Sequence, residues 1–129
     1  MNPEMTEQQD YSRFIRAWRE RISAREKYLS DCRKRAYRQA QKAVSILQKE
    51  YGIRKAFLFG SLLDKNRFTD RSDIDLAVEG LEKATLFEAI GRLSQLGQFH
   101  IDILPWEDCK HSLKKEILLN GKLIYENSR

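Results

Sequence analysis

Apolar residues recur at helical intervals from Tyr11 to Tyr51, with Phe14, Trp18, Ile22, Leu29, Cys32, Ala36, Ala40, Ala43 and Leu47 forming one stripe and no Gly or Pro between them. This stretch predicts helix. A single helix of that length would run about 60 Å at 1.5 Å per residue, longer than a small domain is wide, so it must either break or project. Ser30-Asp31 offers a break, because both side chains can cap a new helix; the first helix of the domain proper then covers Cys32 to Glu50, with Gly52 closing it. Residues 1 to about 10 are polar and aperiodic and read as a frayed lead-in.

Beyond Gly52 the period changes. Ala56-Phe57-Leu58-Phe59 is a short apolar run stopped by Gly60-Ser61, as expected of a strand buried on both faces. Ile74, Leu76 and Val78 alternate with Asp73, Asp75 and Ala77, which predicts a second strand with its aspartates on the face opposite its apolar set. Thr85 and Glu88 have capping-box spacing before a helix carrying Leu86, Ile90 and Leu93 and ending at Gly97. Phe99 to Leu104 predicts a third strand with His100, Asp102 and Leu104 on one side. After Pro105 a helix is expected from about Glu107 to Leu119, then Asn120-Gly121 and a short strand at Leu123-Ile124-Tyr125. The expected class is α/β (α+β): a small mixed sheet of about four strands with helices packed on one face. Residues 1–30 form an N-terminal helical extension and residues 31–129 the domain.

Composition narrows the class. The 129 residues are 41% hydrophobic and 33% charged, which suits one modest core. No apolar run approaches the roughly 20 residues of a membrane span and the N-terminus is too polar for a secretory signal, so a cytoplasmic protein is expected. Cys32 and Cys109 have no companions at metal or disulfide spacing and read as core or helix-face residues. His100 and His111 read as bystanders. Of the net charge of +5, the excess lies early: Arg13 to Arg54 holds thirteen Lys or Arg against four acids. A basic segment invites an anionic partner such as nucleic acid, but the aspartate face would repel phosphates unless cations were bound, so a nucleic-acid-binding module is the least favoured reading.

Carboxylates in the middle of strands are costly unless something cationic neutralises them. Asp73 and Asp75 point the same way about 7 Å apart, and Asp102 joins them if the third strand lies beside the second. Three oxygen donors suit Mg²⁺ or Mn²⁺. Upstream, Gly60 lets backbone amides approach a phosphate and Ser61 adds a hydroxyl donor. The competing reading makes Ser72-Asp73 a turn cap and Asp102 an edge charge; it explains neither the shared face nor the Gly-Ser turn. No P-loop or dinucleotide-binding glycine pattern is present.

FLFGS, a loop, SDIDLAV and the later FHIDIL resemble the GS...DxD...D signature of minimal nucleotidyltransferases of the polymerase-beta-like superfamily, over a stretch from about Val44 to Tyr125. The resemblance implies the nucleotidyltransferase palm fold, with Gly60 and Ser61 holding a nucleoside triphosphate, Asp73, Asp75 and Asp102 as metal-binding catalytic residues, and Asp102 helping to activate an acceptor hydroxyl. It implies two Mg²⁺ or Mn²⁺ ions with ATP as substrate. It also implies a partner protein, since minimal members lack the helical domain that holds an acceptor: many are antitoxins of the MntA type that add AMP to a HEPN toxin. Two departures stand out. Leu62-Leu63-Asp64-Lys65 replaces the usual small residue, Arg and Gly, and the loop to Asp73 is one residue longer. Lys65, Arg67 and Arg71 are the cations available to restore the charge; Lys65 and Arg71 join Gly60 and Ser61 as nucleotide-binding candidates. An alternative keeps the fold without the catalysis, the chain neutralising its partner by docking alone. The amphipathic face from Tyr11 to Ser30 offers either a homo-oligomer or partner contact, or a helix folded back over its own domain.

Overall fold

The computed structural model describes residues 7–127. Four strands, β1 (Lys55–Phe59), β2 (Ile74–Glu79), β3 (Ile101–Pro105) and β4 (Lys122–Glu126), form one sheet in the order β3-β2-β1-β4. β1 pairs antiparallel with β2 and β4, and β2 pairs parallel with β3, so the sheet is mixed as expected.

α1 runs unbroken from Glu7 to Tyr51, about 68 Å at 1.5 Å per residue. The expected break at Ser30-Asp31 does not occur. Contacts on both sides hold the helix straight through it: Arg25 pairs with Asp70 at 3.6 Å and the Tyr28 hydroxyl meets Asp70 at 3.2 Å, while Cys32 is fully buried and Arg33 Nε donates to the Leu62 carbonyl at 2.7 Å. With both neighbouring turns anchored, a cap at residue 30 or 31 would forfeit backbone hydrogen bonds for no gain in packing. Glu7 to Asp10 are helical rather than frayed, and the rest of the expected lead-in lies outside the described residues. Gly52 closes the helix with φ +63°, the conformation that favours glycine at a helix C-terminus.

From Cys32 onward α1 lies on the sheet. Cys32, Ala36, Ala40, Ala43 and Leu47 pack against Ala56, Leu58, Ile74, Leu76 and Val78, and Ala89 and Leu93 of α2 (Leu86–Leu93) close the same face. Small residues along α1 permit close approach to the sheet. The opposite face carries a second, smaller cluster of Phe57, Ala77 and Ile117, with Trp106 stacked on Phe57 at 5.0 Å. Ile117 belongs to α3 (His111–Asn120). Helices α1 and α2 therefore hold one face as expected, while α3 covers part of the other and leaves its aspartate end uncovered. α3 also starts later than expected, because a tight turn at Trp106–Asp108 precedes it. The expected capping box is not formed: Thr85 Oγ1 donates to the Glu82 carbonyl and Glu88 accepts from Tyr51. α2 ends at Leu93, short of Gly97.

Gln39, the buried polar residue of α1, bridges to the entry of β3: its Nε2 donates to the Phe99 carbonyl at 2.7 Å and its Oε1 accepts from the Phe99 N–H at 3.1 Å. Gly97 packs against the same Oε1, leaving no room for a Cβ. Gln39 thus replaces a missing strand neighbour for the chain that leads to Asp102. Gln39→Ala strands two buried backbone groups, and urea denaturation should show a loss of about 2–4 kcal/mol with the far-ultraviolet circular dichroism of the native state retained. A loss below about 0.5 kcal/mol would mean that water satisfies Phe99 instead.

Candidate active site

Register brings the aspartates together. β1 ends at Phe59, which lies opposite Asp75 in the antiparallel pair, and Asp75 lies beside Asp102 in the parallel pair. Asp73 lies in the loop one residue before β2, and the Ile74 N–H that follows it donates to the His100 carbonyl at 2.8 Å, which fixes the start of the β2–β3 pairing. Asp73 and Asp102 are exposed and Asp75 is half-buried.

Gly60 is the tightest point. Its φ of +84° and ψ of −159° fall in a region open essentially to glycine alone. A Cβ there would meet the Asp75 carboxylate directly. The chain then turns through Ser61–Leu63, with the Leu63 N–H donating to the Gly60 carbonyl at 3.2 Å. Leu62, which departs from the family pattern, is fully buried in the main core, and its carbonyl accepts from Arg33. The departure therefore anchors the turn to α1. Asp64 caps the next turn through its Oδ1, which accepts from the Asn66 N–H at 2.9 Å, and buried Phe68 lies tilted against Phe99, ring centroids 6.1 Å apart.

The Asp75 carboxyl is pushed up from 3.8 to about 6, first by burial, then by the negative charges of Asp102 and Asp73, with His100 opposing. Among the described residues no Lys or Arg pairs with Asp73 or Asp75. Three acidic side chains on one face without a cation of the protein's own have the donor chemistry for a hard divalent ion. They do not form a ready-made cage: among the described residues no group of three His, Cys, Asp or Glu is gathered to hold a metal. Asp102 is engaged elsewhere, its Oδ1 2.8 Å from His100 Nε2. His100, expected as a bystander, makes this contact from the position just before β3.

On the other side of Gly60 lies a cavity of about 410 Å³, within the range of small-ligand sites, lined by Phe59, Gly60, Leu63, Asp64, Arg67, Glu116, Ile117, Asn120 and Gly121. Arg67 shares this cavity with Gly60. Lys65 opens instead on a separate cavity against α1, with Glu26, Arg33, Lys34 and Tyr37, and Arg71 is exposed on the turn before Asp73.

Because folding raises the Asp75 carboxyl, the folded chain keeps a proton that the unfolded chain releases. Its contribution to stability is fully present below about pH 3.8 and is lost as pH rises through about 6. Asp75→Asn removes this dependence. In metal-free buffer the variant should match the wild type near pH 4 and exceed it above pH 6 by on the order of 1 kcal/mol, after allowance for solvent screening of a half-exposed group. Paired urea denaturations at each pH measure the difference; a difference that stays constant from pH 4 to 7 would show Asp75 to be unstressed.

The polymerase beta nucleotidyltransferase family profile matches residues 41–129. A Methanocaldococcus jannaschii protein named "Putative protein adenylyltransferase" is 35% identical over 79 residues, 61% of this chain and 58% of that protein, so the chain spans little more than half the length of this relative. Among solved structures, a toxin–antitoxin complex with AMP-PNP superposes with a TM-score of 0.56 at 20% identity, over 67% of this chain and 73% of the other. The MNT antitoxin complex with tri-AMPylated HEPN toxin from Shewanella oneidensis gives 0.54 at 18%, over 71% and 73%. A Sulfolobus solfataricus protein described as a "putative nucleotidyltransferase" gives 0.51 at 17%, over 78% and 89%. At these identities the structures attest the fold, and the profile, which covers β1, the Gly-Ser turn and all three aspartates, attests the family: the chain belongs to the polymerase beta nucleotidyltransferases.

Proposed function

We propose that this chain transfers a nucleoside monophosphate, AMP from ATP, to a hydroxyl of a partner protein of the HEPN type, and acts in the cytoplasm as that partner's antitoxin. The observation that carries the reading is the contact of Gly60 with Asp75 in register with Asp102, beside a cavity open to ligand. The named activities of the relatives support it.

In this reading the backbone of the Gly60-Ser61 turn and the Ser61 hydroxyl hold the triphosphate, and Arg67, which lines the cavity with Gly60, supplies the phosphate charge. Lys65, on the α1 side of the loop, and Arg71, on the turn before Asp73, add only longer-range attraction. Asp73, Asp75 and Asp102 offer the oxygen donors for Mg²⁺ or Mn²⁺, which when bound would neutralise the triphosphate and make the acceptor hydroxyl more acidic. The acceptor oxygen forms a bond to the α-phosphorus, the bond to the bridging oxygen of pyrophosphate breaks, and the hydroxyl proton passes to Asp102. His100 at 2.8 Å orients that carboxylate and can relay the proton to solvent.

A docking-only antitoxin is the second reading. It is favoured by the Leu62 to Lys65 departure and by the engagement of Asp102 with His100.

With Mg²⁺, α-labelled nucleotides and HEPN-type partner proteins, label should move from ATP to the partner, and Asp75→Asn should lower the rate at least about 100-fold. Arg67→Ala should raise KM for ATP about 10-fold, with Lys65→Ala within about 2-fold of the wild type. If Asp73→Asn/Asp75→Asn still neutralises the partner, docking is the function and transfer is not.

Gly60→Ala should abolish transfer and lower stability by about 1–3 kcal/mol in thermal denaturation, because a Cβ is strained at this φ and displaces Asp75. Retained transfer would place the nucleotide elsewhere.

A further inference from the structure

The N-terminal half of α1 extends past the domain with its apolar face uncovered. Tyr11, Ile15, Trp18, Ile22, Arg25 and Leu29 follow one another at alternating steps of four and three residues, the spacing of a helix seam that packs against another helix. The same phase continues as Cys32, Ala36, Gln39 and Ala43, all buried against the sheet. The face that builds the core therefore runs on beyond it, where Tyr11 is 67%, Trp18 52% and Ile22 39% exposed, with Phe14 beside them at 60%. The helix does not fold back. Arg25 and Tyr28 tie it to the domain through Asp70, in the loop that leads to Asp73. The segment lies outside the residues that the family profile matches, 41–129.

The charges beside the stripe select the occupant. From Tyr11 to Ser30 there are six Lys or Arg and two acids, and Arg19 and Arg21 flank the centre of the seam on either side. A second copy pairs antiparallel if the two domains are to stay apart, since each domain occupies the same face from Cys32 onward. That arrangement sets Arg19 and Arg21 against their own counterparts, a like-charge contact at the positions that decide helix pairing. An acidic helix meets opposite charge at both.

We propose that residues 11–29 dock a partner protein through an amphipathic helix whose apolar seam is bordered by carboxylates. The docked helix covers Trp18 and Ile22 and ends against the Arg25–Asp70 contact, next to the loop that carries Arg67 and Asp73. This surface is independent of the transfer chemistry, and its test needs no turnover.

The probe is a synthetic four-heptad peptide of about 28 residues with Leu at the seam and Glu at the flanking positions, and its control carries Lys in place of Glu. By fluorescence anisotropy the full chain should bind the Glu peptide at micromolar concentration and the Lys peptide at least about 20-fold more weakly, with affinity for the former falling as salt is raised from about 50 to 500 mM. Trp18→Asp/Ile22→Asp, at exposed positions that leave the fold intact by circular dichroism, should weaken the Glu peptide at least about 20-fold, while Trp18→Phe and the catalytic variant Asp75→Asn bind as the wild type does. Equal affinity for the two peptides, or binding to neither, overturns the proposal. So does a dimer in sedimentation that Trp18→Asp dissociates, which assigns the stripe to a second copy, or tight binding of a single-stranded RNA 20-mer with no binding of the Glu peptide. Because peptide binding is read without turnover, its failure leaves the transferase reading standing, and absence of transfer in the wild type with the Glu peptide still bound leaves the docking surface standing.

Discussion

The carboxylate of Asp75 is held against Gly60 on one side and beside Asp102 on the other, and most of the molecule serves to keep it there. β1 must end at residue 59 so that Gly60 can leave the sheet at a backbone angle closed to other residues. Leu62 must then be buried for the turn to hold that angle, and α1 must be packed tightly enough for Arg33 to reach the Leu62 carbonyl. Burial, and after it the charges of Asp102 and Asp73, raise the Asp75 carboxyl. A half-buried carboxylate with acidic neighbours costs stability and is best relieved by cations or by a proton.

Much of this was legible in the sequence because the relevant periods are short. Alternation in Ile74, Leu76 and Val78 placed Asp73 and Asp75 on one face, and the third strand carried Asp102 to the same face once strands two and three were neighbours. Gly60-Ser61 after an apolar run marked the turn. What local pattern could not give was long-range contact. The expected break in α1 rested on the capping capacity of Ser30 and Asp31, and the contacts that overrule it come from residues 62 and 70, far along the chain. Gln39 carried no helical-stripe signal, being polar, yet it supplies the hydrogen bonds that a missing strand would have supplied to Phe99. His100 looked solitary in the sequence because its partner is the adjacent same-face residue on one strand, not a distant ligand at metal spacing.

The departure at Leu62 to Lys65 has a different meaning in three dimensions. Where the resemblance leads one to expect a small residue, Arg and Gly, the chain buries Leu62, and the cation that lines the cavity with Gly60 is Arg67. Lys65 faces the other way, toward α1. One loop therefore separates two surfaces, a cavity at the Gly-Ser turn and a second against the helix.

That separation also bears on how a minimal transferase can choose its acceptor. A bare palm offers the nucleotide and the carboxylates but little surface to orient a protein hydroxyl, and orientation is worth several powers of ten in rate. Extending the first core helix is an economical way to add such surface, since a helix already anchored from Cys32 to Leu47 projects rigidly and loses little entropy when it binds. Its far half repeats the packing face of its near half but replaces the small residues of the core with larger apolar and aromatic ones, and the basic surround runs along both halves. In the proposed reading the two demands are separated: the residues proposed to hold the phosphates sit on the loops of the sheet, and those proposed to select a protein sit on the N-terminal part of α1, tied to the same loop through Asp70.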